Sequence, residues 1–413
     1  MKFPLKAVVW IALLSPVPVL ADGALIVTPA AVADRVRAQN PELAAARLRI
    51  REALGRIKQA GRRENPRLET EFEHDPRFRE GRFQLGFTQR FPVTSRLRLE
   101  KDLSATELEA AEAEVREVER RLVAQARTAL VKALAVRQQR TLRRNQAEAA
   151  REFATFISKA AEQGEGSPID AGQAKLEAAR LSAEMRLLDA EEAAALGELK
   201  PLLGMAPGDE LRASGELSPV SVPGATGDPS RRPDWQAAQV EVRAAETEAV
   251  IERAKRYDDL EAGVFIGGER REDAPEGRDN EAIIGLKLSI PLPLWDDRSG
   301  SIEAADAKTE RKRLEVSALG EAIRHEAAAA REEMAQWAKL EREIAGELLP
   351  LSGQQVEFAE TAFRNGQGEI QAVFRAREQR FQLEVTRLNA LREFHLARVR
   401  FLAALNRFQP IDS

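Results

Sequence analysis

Ile283–Ile302, IIGLKLSIPLPLWDDRSGSI, joins two structural periods that a compact domain seldom places side by side. Ile284, Leu286, Leu288 and Ile290 stand two apart, the period of a strand with one apolar face. Pro291 and Pro293, which have no N–H to donate, then stop strand pairing. Beyond Gly300 the apolar period turns helical and stays so into the 360s. The same junction occurs earlier, at Phe83–Leu97, FQLGFTQRFPVTSRL: Phe83, Leu85 and Phe87 alternate before Pro92 and another long helical run. A chain built twice from a strand and a very long helix cannot be an ordinary layered domain.

Composition agrees. Charged residues make up 31% and aromatics 5%, with abundant Ala, Leu, Glu and Arg, a profile of long helices or coiled coils rather than of a compact enzyme. Lys plus Arg (63) nearly balance Asp plus Glu (67), so no basic field points to nucleic acid. Lys2 and Lys6 flank the apolar run Ala7–Leu20, and Val19 and Ala21 are small residues at a cleavage site, which reads as a signal peptide over 1–21 and a mature chain from Asp22. The absence of cysteine excludes disulfides, thiolate metal sites and a lipoprotein's N-terminal Cys. No other apolar run reaches the ~18 residues of a membrane helix, so any insertion uses strands.

In order, 29–60 reads as a first helix that Asn40-Pro41 kinks or restarts. Arg67–Asp75 reads as a strand with Leu68, Thr70 and Phe72 on one face and Glu69, Glu71, Glu73 and Asp75 on the other; Arg82–Phe91 returns. From Thr94 to Gln163 there is neither Gly nor Pro, and Leu108, Val115, Leu122, Ala129 and Val136 form a heptad seam. About 70 residues at ~1.5 Å each make a rod of roughly 105 Å. Gly164–Pro168 breaks it, and a return helix over 169–203 follows, with Leu181, Leu188, Ala195 and Leu202 in register.

A Pro/Gly-rich linker occupies 204–232, and the plan then restarts. A helix covers 233–256, Leu260–Ile266 is a strand, Gly267–Asn280 a charged loop, and Ala282–Ile290 the fourth strand. A long helix over 299–364 carries Ile323, Ala330, Trp337, Ile344, Leu351 and Phe358 seven apart; Asn365–Gly368 breaks it. The return helix, 369–407, has Phe374, Phe381, Leu388, His395 and Leu402. The chain is thus a tandem repeat, 22–203 and 233–408, with a tail at 409–413. In each half one long rod equals two short ones in length, so the short rods should lie end to end beside it.

Strands of about nine or ten residues suit a tilted bilayer crossing. Four strands close no barrel, and lipid tolerates no open sheet edge, so spanning demands several copies. A dimer's eight strands would be filled by side chains; a trimer's twelve leave room for a channel. The acidic face of Glu69, Glu71, Glu73 and Asp75 needs water and so favours three copies, either as a cation-favouring lumen lining or as a generic polar barrel interior.

The doubled repeat, the strand-to-helix junctions, Gly164-x-Gly166 and Gly366-x-Gly368, and the Pro291–Trp295 stretch together resemble the TolC-like outer-membrane efflux family over about residues 28–408. Asn40-Pro41-Glu42-Leu43 and Ile290–Trp295 look most like its branch serving cobalt–zinc–cadmium exporters. The resemblance implies a mostly α fold with membrane β: a homotrimer with a twelve-stranded barrel in outer-membrane lipid, continued by an α-helical periplasmic tunnel. It implies a periplasmic adaptor (membrane fusion) protein docking at Gly164, Gly166, Gly366 and Gly368, an inner-membrane pump of the resistance-nodulation-division type, and no chemistry of its own. Glu165, Asp170 and Glu369 beside those turns could form a carboxylate ring gating the tunnel entrance; solvated helix ends are the commoner explanation.

His74, His325 and His395 show no metal-ligand spacing, and His395 in its seam reads as a packed core residue. With four methionines and no cysteine there is no soft-metal site, and nothing calls for a cofactor. Two alternatives remain: a protein-secretion or drug outlet of the same fold, and a soluble periplasmic coiled-coil adaptor.

Overall fold

The computed structural model describes residues 24–77, 79–164, 166–224, 228–273 and 277–407; the expected signal peptide, 1–21, and the tail, 409–413, lie outside them. The first half runs β1 (Leu25–Val27), α1 (Val32–Gln39), α2 (Pro41–Gln59), β2 (Arg67–His74), β3 (Gly81–Phe91), α3 (Arg96–Glu162) and α4 (Pro168–Leu202). After β4 (Leu211–Ala213) the second half runs α5 (Pro233–Ala254), β5 (Leu260–Asp273), β6 (Gly277–Ser289), α6 (Ser299–Glu343), α7 (Leu349–Arg364) and α8 (Ile370–Ala404).

Asn40 divides the expected first helix in two. It is extended (φ −69°, ψ 123°), as the residue before a proline prefers, and its Oδ1 accepts the Leu43 N–H at 2.9 Å while Pro41 starts α2. Charge pairs display the helix registers. Arg49–Glu114 (3.3 Å) and Arg56–Glu107 (3.7 Å) set α2 antiparallel to the first part of α3; Lys132–Glu198 (3.2 Å) and Arg143–Glu184 (2.8 Å) set α4 along its second part. Lys312–Glu241 (2.6 Å) places α5 on α6, and Arg400–Glu333 (2.7 Å) and Arg377–Glu360 (2.6 Å) carry α8 down α6 and α7. The exposed ones among these pairs contribute ~0–1 kcal/mol each. The seams beneath supply the driving force: Val115, Leu122, Ala129, Leu181, Ile323, Ala330 and Ile344 are all buried.

The short rods do meet end to end. Asn40, opening α2, donates from Nδ2 to the Leu202 carbonyl at the end of α4 (3.0 Å). In the second half Asn406, closing α8, donates from Nδ2 to the Arg231 carbonyl just before α5 (3.0 Å). The linker between the halves is packed rather than free. Its strand β4 pairs in parallel with β1, Leu211, Ala213 and Leu217 join the core cluster that holds Val36, Leu43, Leu130 and Leu199, and the His395 ring nitrogen Nε2 contacts the Ser218 carbonyl at 2.8 Å.

Two sequence expectations need correction. The long helix 299–364 is interrupted by a π turn, Ile344–Leu348, ahead of Pro350. Proline cannot donate to the carbonyl one turn back, and widening the turn by a residue accommodates it. The buried seam therefore passes from Ile344 to Ser352, a step of eight, and Leu351 and Phe358 turn outward, 55% and 71% exposed. Likewise Gly267–Asn280 is largely strand. β5 continues to Asp273 and β6 begins at Gly277, through pairs such as Glu269↔Glu281 and Arg270↔Asn280. The composition turns charged there while pairing continues, and Gly267 marks close strand approach rather than a loop: a Cβ at that position would lie 2.5 Å from the Phe83 carbonyl oxygen.

Candidate functional site: wall, collar and tips

The four long strands form one antiparallel sheet in the order β2-β3-β5-β6, so β2 and β6 are edge strands, each with one side unpaired among the described residues. Opposed residues share a face. The pairs Leu68↔Phe87, Phe72↔Phe83, Phe87↔Val264 and Val264↔Leu286 put an apolar row on one side. All these side chains are exposed, Leu286 to 83%. On the other side stand Glu69, Glu71 and Glu73 of β2, Arg82, Thr88 and Arg90 of β3, Glu261, Phe265 and Glu269 of β5, and Lys287 of β6.

That charged face is tied by cross-strand pairs: Arg82–Glu269 (2.9 Å), Arg90–Glu261 (3.6 Å) and Lys287–Glu69 (2.9 Å). The last joins opposite edges of the sheet, and beneath it Thr88, 3% exposed, donates its hydroxyl to Glu69 at 3.2 Å. Glycine keeps the middle of this face low; at Gly263 a Cβ would sit 2.7 Å from the Thr88 methyl. Of the four carboxylates singled out in the sequence, Glu69 is bridged to Lys287, whereas Glu71 and Glu73 form no ion pair among the described residues. Asp75 stands past the end of β2, where its carboxylate accepts the N–H groups of Arg77 (3.1 Å), Arg79 (2.5 Å) and Glu80 (3.0 Å) and closes the turn to β3. The cations of this face went unread because only the pairing register puts Arg82, Arg90 and Lys287 opposite the carboxylates. Their alternate spacing on β3 and β6 was the available signal.

At the collar, Arg96 in the first turn of α3 reaches both Glu100 (2.7 Å) and Asp259 (2.6 Å), tying the first strand-to-helix junction to the foot of β5.

At the far ends of the hairpins the two halves repeat one geometry. Gly164 and Gly366 take positive φ (80° and 70°), which ends α3 and α7 at little steric cost. Gly166 and Gly368 pass close to the preceding helix, where a Cβ would lie 3.2 Å from the Ala161 nitrogen and 3.1 Å from that of Phe363. The tips stand side by side, because Ile157, Ala171 and Ile370 pack in one cluster with Phe153, Phe363 and Phe374. Phe153 lies 6.1 and 6.0 Å from the other two rings, with the Arg377 guanidinium 4.6 Å above it. Asp170 and Glu369 directly precede Ala171 and Ile370 of this cluster; Glu165 lies outside the described residues. Higher up, Arg180 bridges Glu177 (2.8 Å) and Glu378 (3.7 Å), and the hydrogen bonds it donates to Glu177 hold its guanidinium pKa above the ordinary value.

No described helix is long and apolar enough to cross a membrane, and no three His, Cys, Asp or Glu of the described residues are grouped to hold a metal. The arrangement thus offers a sheet with one apolar and one charged face and, at the far end of the hairpins, paired glycine turns.

Comparison with known proteins agrees with this layout. The sequence profile described as outer membrane efflux protein matches residues 32–204 and 229–407. The fold is similar to that of CusC, solved in a study of transmembrane channel formation (TM-score 0.73, 17% identity, 91% of each chain covered). It is also similar to a membrane protein from Pseudomonas aeruginosa (0.72, 18%, 91% of each chain). The outer membrane protein VceC from Vibrio cholerae is a third likeness (0.70, 18%, 91% of this chain and 95% of that one). No curated protein matches by sequence.

Proposed function

The chain belongs to the outer membrane efflux protein family, and on that premise we propose that three copies close their four-stranded sheets into one twelve-stranded barrel, with the helical hairpins joined into a periplasmic tunnel below it. As a member of the family it is an outer-membrane efflux channel and not an enzyme. The observation that carries the trimer is the sheet: apolar outside, charged inside, and open at both edges, which lipid forbids unless further strands close it. Two more features support it. Ile169, Leu176 and Leu187, spaced seven and eleven along one face of α4, are exposed in the single chain, as are Leu351 and Phe358 of α7; neighbouring hairpins would cover both rows.

In this reading a periplasmic adaptor docks on the tips at Gly164, Gly166, Gly366 and Gly368, an inner-membrane pump of the resistance-nodulation-division type loads the tunnel, and Asp170 and Glu369 narrow its entrance. The cargo is a metal cation, favoured by the unbridged carboxylates Glu71 and Glu73 and by the Asn40–Leu43 and Ile290–Trp295 stretches. Family membership disfavours the soluble adaptor. Planar-bilayer recording of the purified protein tests the pore: a conductance preferring cations, reduced in Glu71→Gln/Glu73→Gln, is expected, and no conductance from a single-chain species would overturn it. A deletion strain should lose tolerance to zinc, cobalt or copper. Unchanged metal tolerance with new sensitivity to dyes, or with lost protein export, would reassign the cargo.

A further inference from the structure

The two strand-to-helix junctions differ in a way that the pore does not require. After β3 the chain passes into α3 through Pro92–Ser95, of which only Val93 is a large apolar residue. After β6 it takes Ile290–Arg298, more than twice as long, and the added length begins with Leu292, Leu294 and Trp295. Among the described residues nothing covers these side chains. Leu292 and Leu294 are each 67% exposed and Trp295 95%.

The segment is held at its polar end. Asp296 and Asp297 accept the N–H groups of Arg298 (2.9 Å) and Ser299 (3.0 Å), and the Arg298 guanidinium pairs with Glu252 of α5 at 3.5 Å. The apolar end thus projects from a fixed base.

We propose that Ile290–Trp295 is a lipid anchor, seated at the acyl–headgroup boundary of the membrane leaflet on the helix-bundle side. The inference rests on the barrel reading above. Ile284, Leu286 and Leu288 descend one exposed face of β6 in strict alternation, and Ile290, just past its end, keeps the spacing and is exposed too, so the segment continues the lipid-facing row rather than starting a separate patch. Ala282–Ile290, tilted as barrel strands are, accounts for most of an apolar band ~25 Å tall, which brings Trp295 to the depth where tryptophan's apolar ring and N–H are best satisfied together. A second copy is the weaker occupant. When β6 meets the next chain's β2, the nearest segment of that chain is the foot of its β2, Arg63–Arg67, which offers charged and polar side chains and a single proline.

Tryptophan quenching by bromine-labelled lipids tests this. In full-length protein carrying Trp10→Phe, Trp235→Phe and Trp337→Phe, Trp295 is the only emitter; if that background folds poorly, the difference between the parent and Trp295→Phe gives the same signal. In phosphatidylethanolamine–phosphatidylglycerol vesicles, bromines near the headgroup should remove most of the Trp295 emission and bromines near the chain ends much less. A reporter placed mid-band, Leu286→Trp with Trp295→Phe, should show the reverse order. Unquenched, red-shifted Trp295 with a quenched Leu286→Trp would put the segment in water. Unquenched but blue-shifted emission would put it against a second copy, and either outcome overturns the anchor while leaving the barrel intact. Failure of both reporters to quench would remove the barrel and the anchor together.

Discussion

The two halves of the chain solve the same problem with different residues, and the differences fall in particular places. From the tips to the ends of the return helices matching features of the two halves keep one offset in sequence. Gly164 answers Gly366, Gly166 answers Gly368, and Gly204 (φ 69°) answers Asn406 (φ 49°), each pair offset identically. At both helix ends one further bond closes the same cap, Met205 N–H to the Lys200 carbonyl (3.0 Å) and Arg407 N–H to that of Leu402 (2.9 Å). Elsewhere the halves part: α3 runs unbroken where α6 and α7 are split by the π turn, and one collar is short where the other is long and apolar. Ends that must dock end to end tolerate little change, whereas rod interiors and outward loops tolerate more.

Single-residue deletions should break this comparison most sharply. Removing Ala133 would turn the rest of α3 by ~100° and swing Leu134, Ala147 and Ala154 out of their packing, so no folded product is expected. Removing Gly346 together with Pro350→Ala converts the π turn into regular helix, restores a step of seven from Ile344 to Ser352, and should cost under ~2 kcal/mol by denaturant titration. Equal loss from both deletions would mean that the π turn is not a tolerated insertion.

A smaller contrast lies at the paired helix ends. Gly204→Ala puts a side chain into a left-handed residue packed against the Gln39 carbonyl, and should cost about 2–4 kcal/mol. Asn406→Gly keeps the turn and loses only the bond to Arg231, so it should stay within ~1.5 kcal/mol of the parent by the same titration.

The smallest effect concerns pH. His395 has no counterpart in the first half, where Ala193 stands at that position, exposed. Burial pushes the His395 imidazole below its ordinary value; the Ser218 carbonyl pulls it up and Arg398 pushes it further down. The unfolded chain therefore binds the proton more readily. This contribution is fully present above about pH 6.5 and is lost as pH falls from there toward the lower folded value. Thermal midpoints should drop on acidification through that window, and less steeply in His395→Gln. An identical slope in the variant would remove His395 from the account.

What could be read beforehand follows from what periodicity encodes. Heptads located the rods and their seams, and the Gly-x-Gly breaks located the tips, because both are local. The outward turn of Leu351 and Phe358 escaped notice because they continue the spacing of Ile344, and spacing alone identifies a face without saying what it meets. The outer ends of β5 and β6 looked like loop because charged residues replace apolar ones there, although pairing persists through Glu269 and Glu281. On the charged face of the sheet the carboxylates of β2 were visible as an alternation, but their partners depend on register, which only the folded sheet supplies.

The bridge between Glu69 and Lys287 has one more consequence. Their strands lie on opposite edges of the sheet, about 14 Å apart were it flat. A 2.9 Å contact between their side chains therefore reports a sheet bent toward its charged face. The pair is too exposed to contribute much stability, yet the bend it reports is already present in one chain. In the proposed trimer, subunits that already carried this bend would have less internal freedom to surrender when their sheets close into one ring.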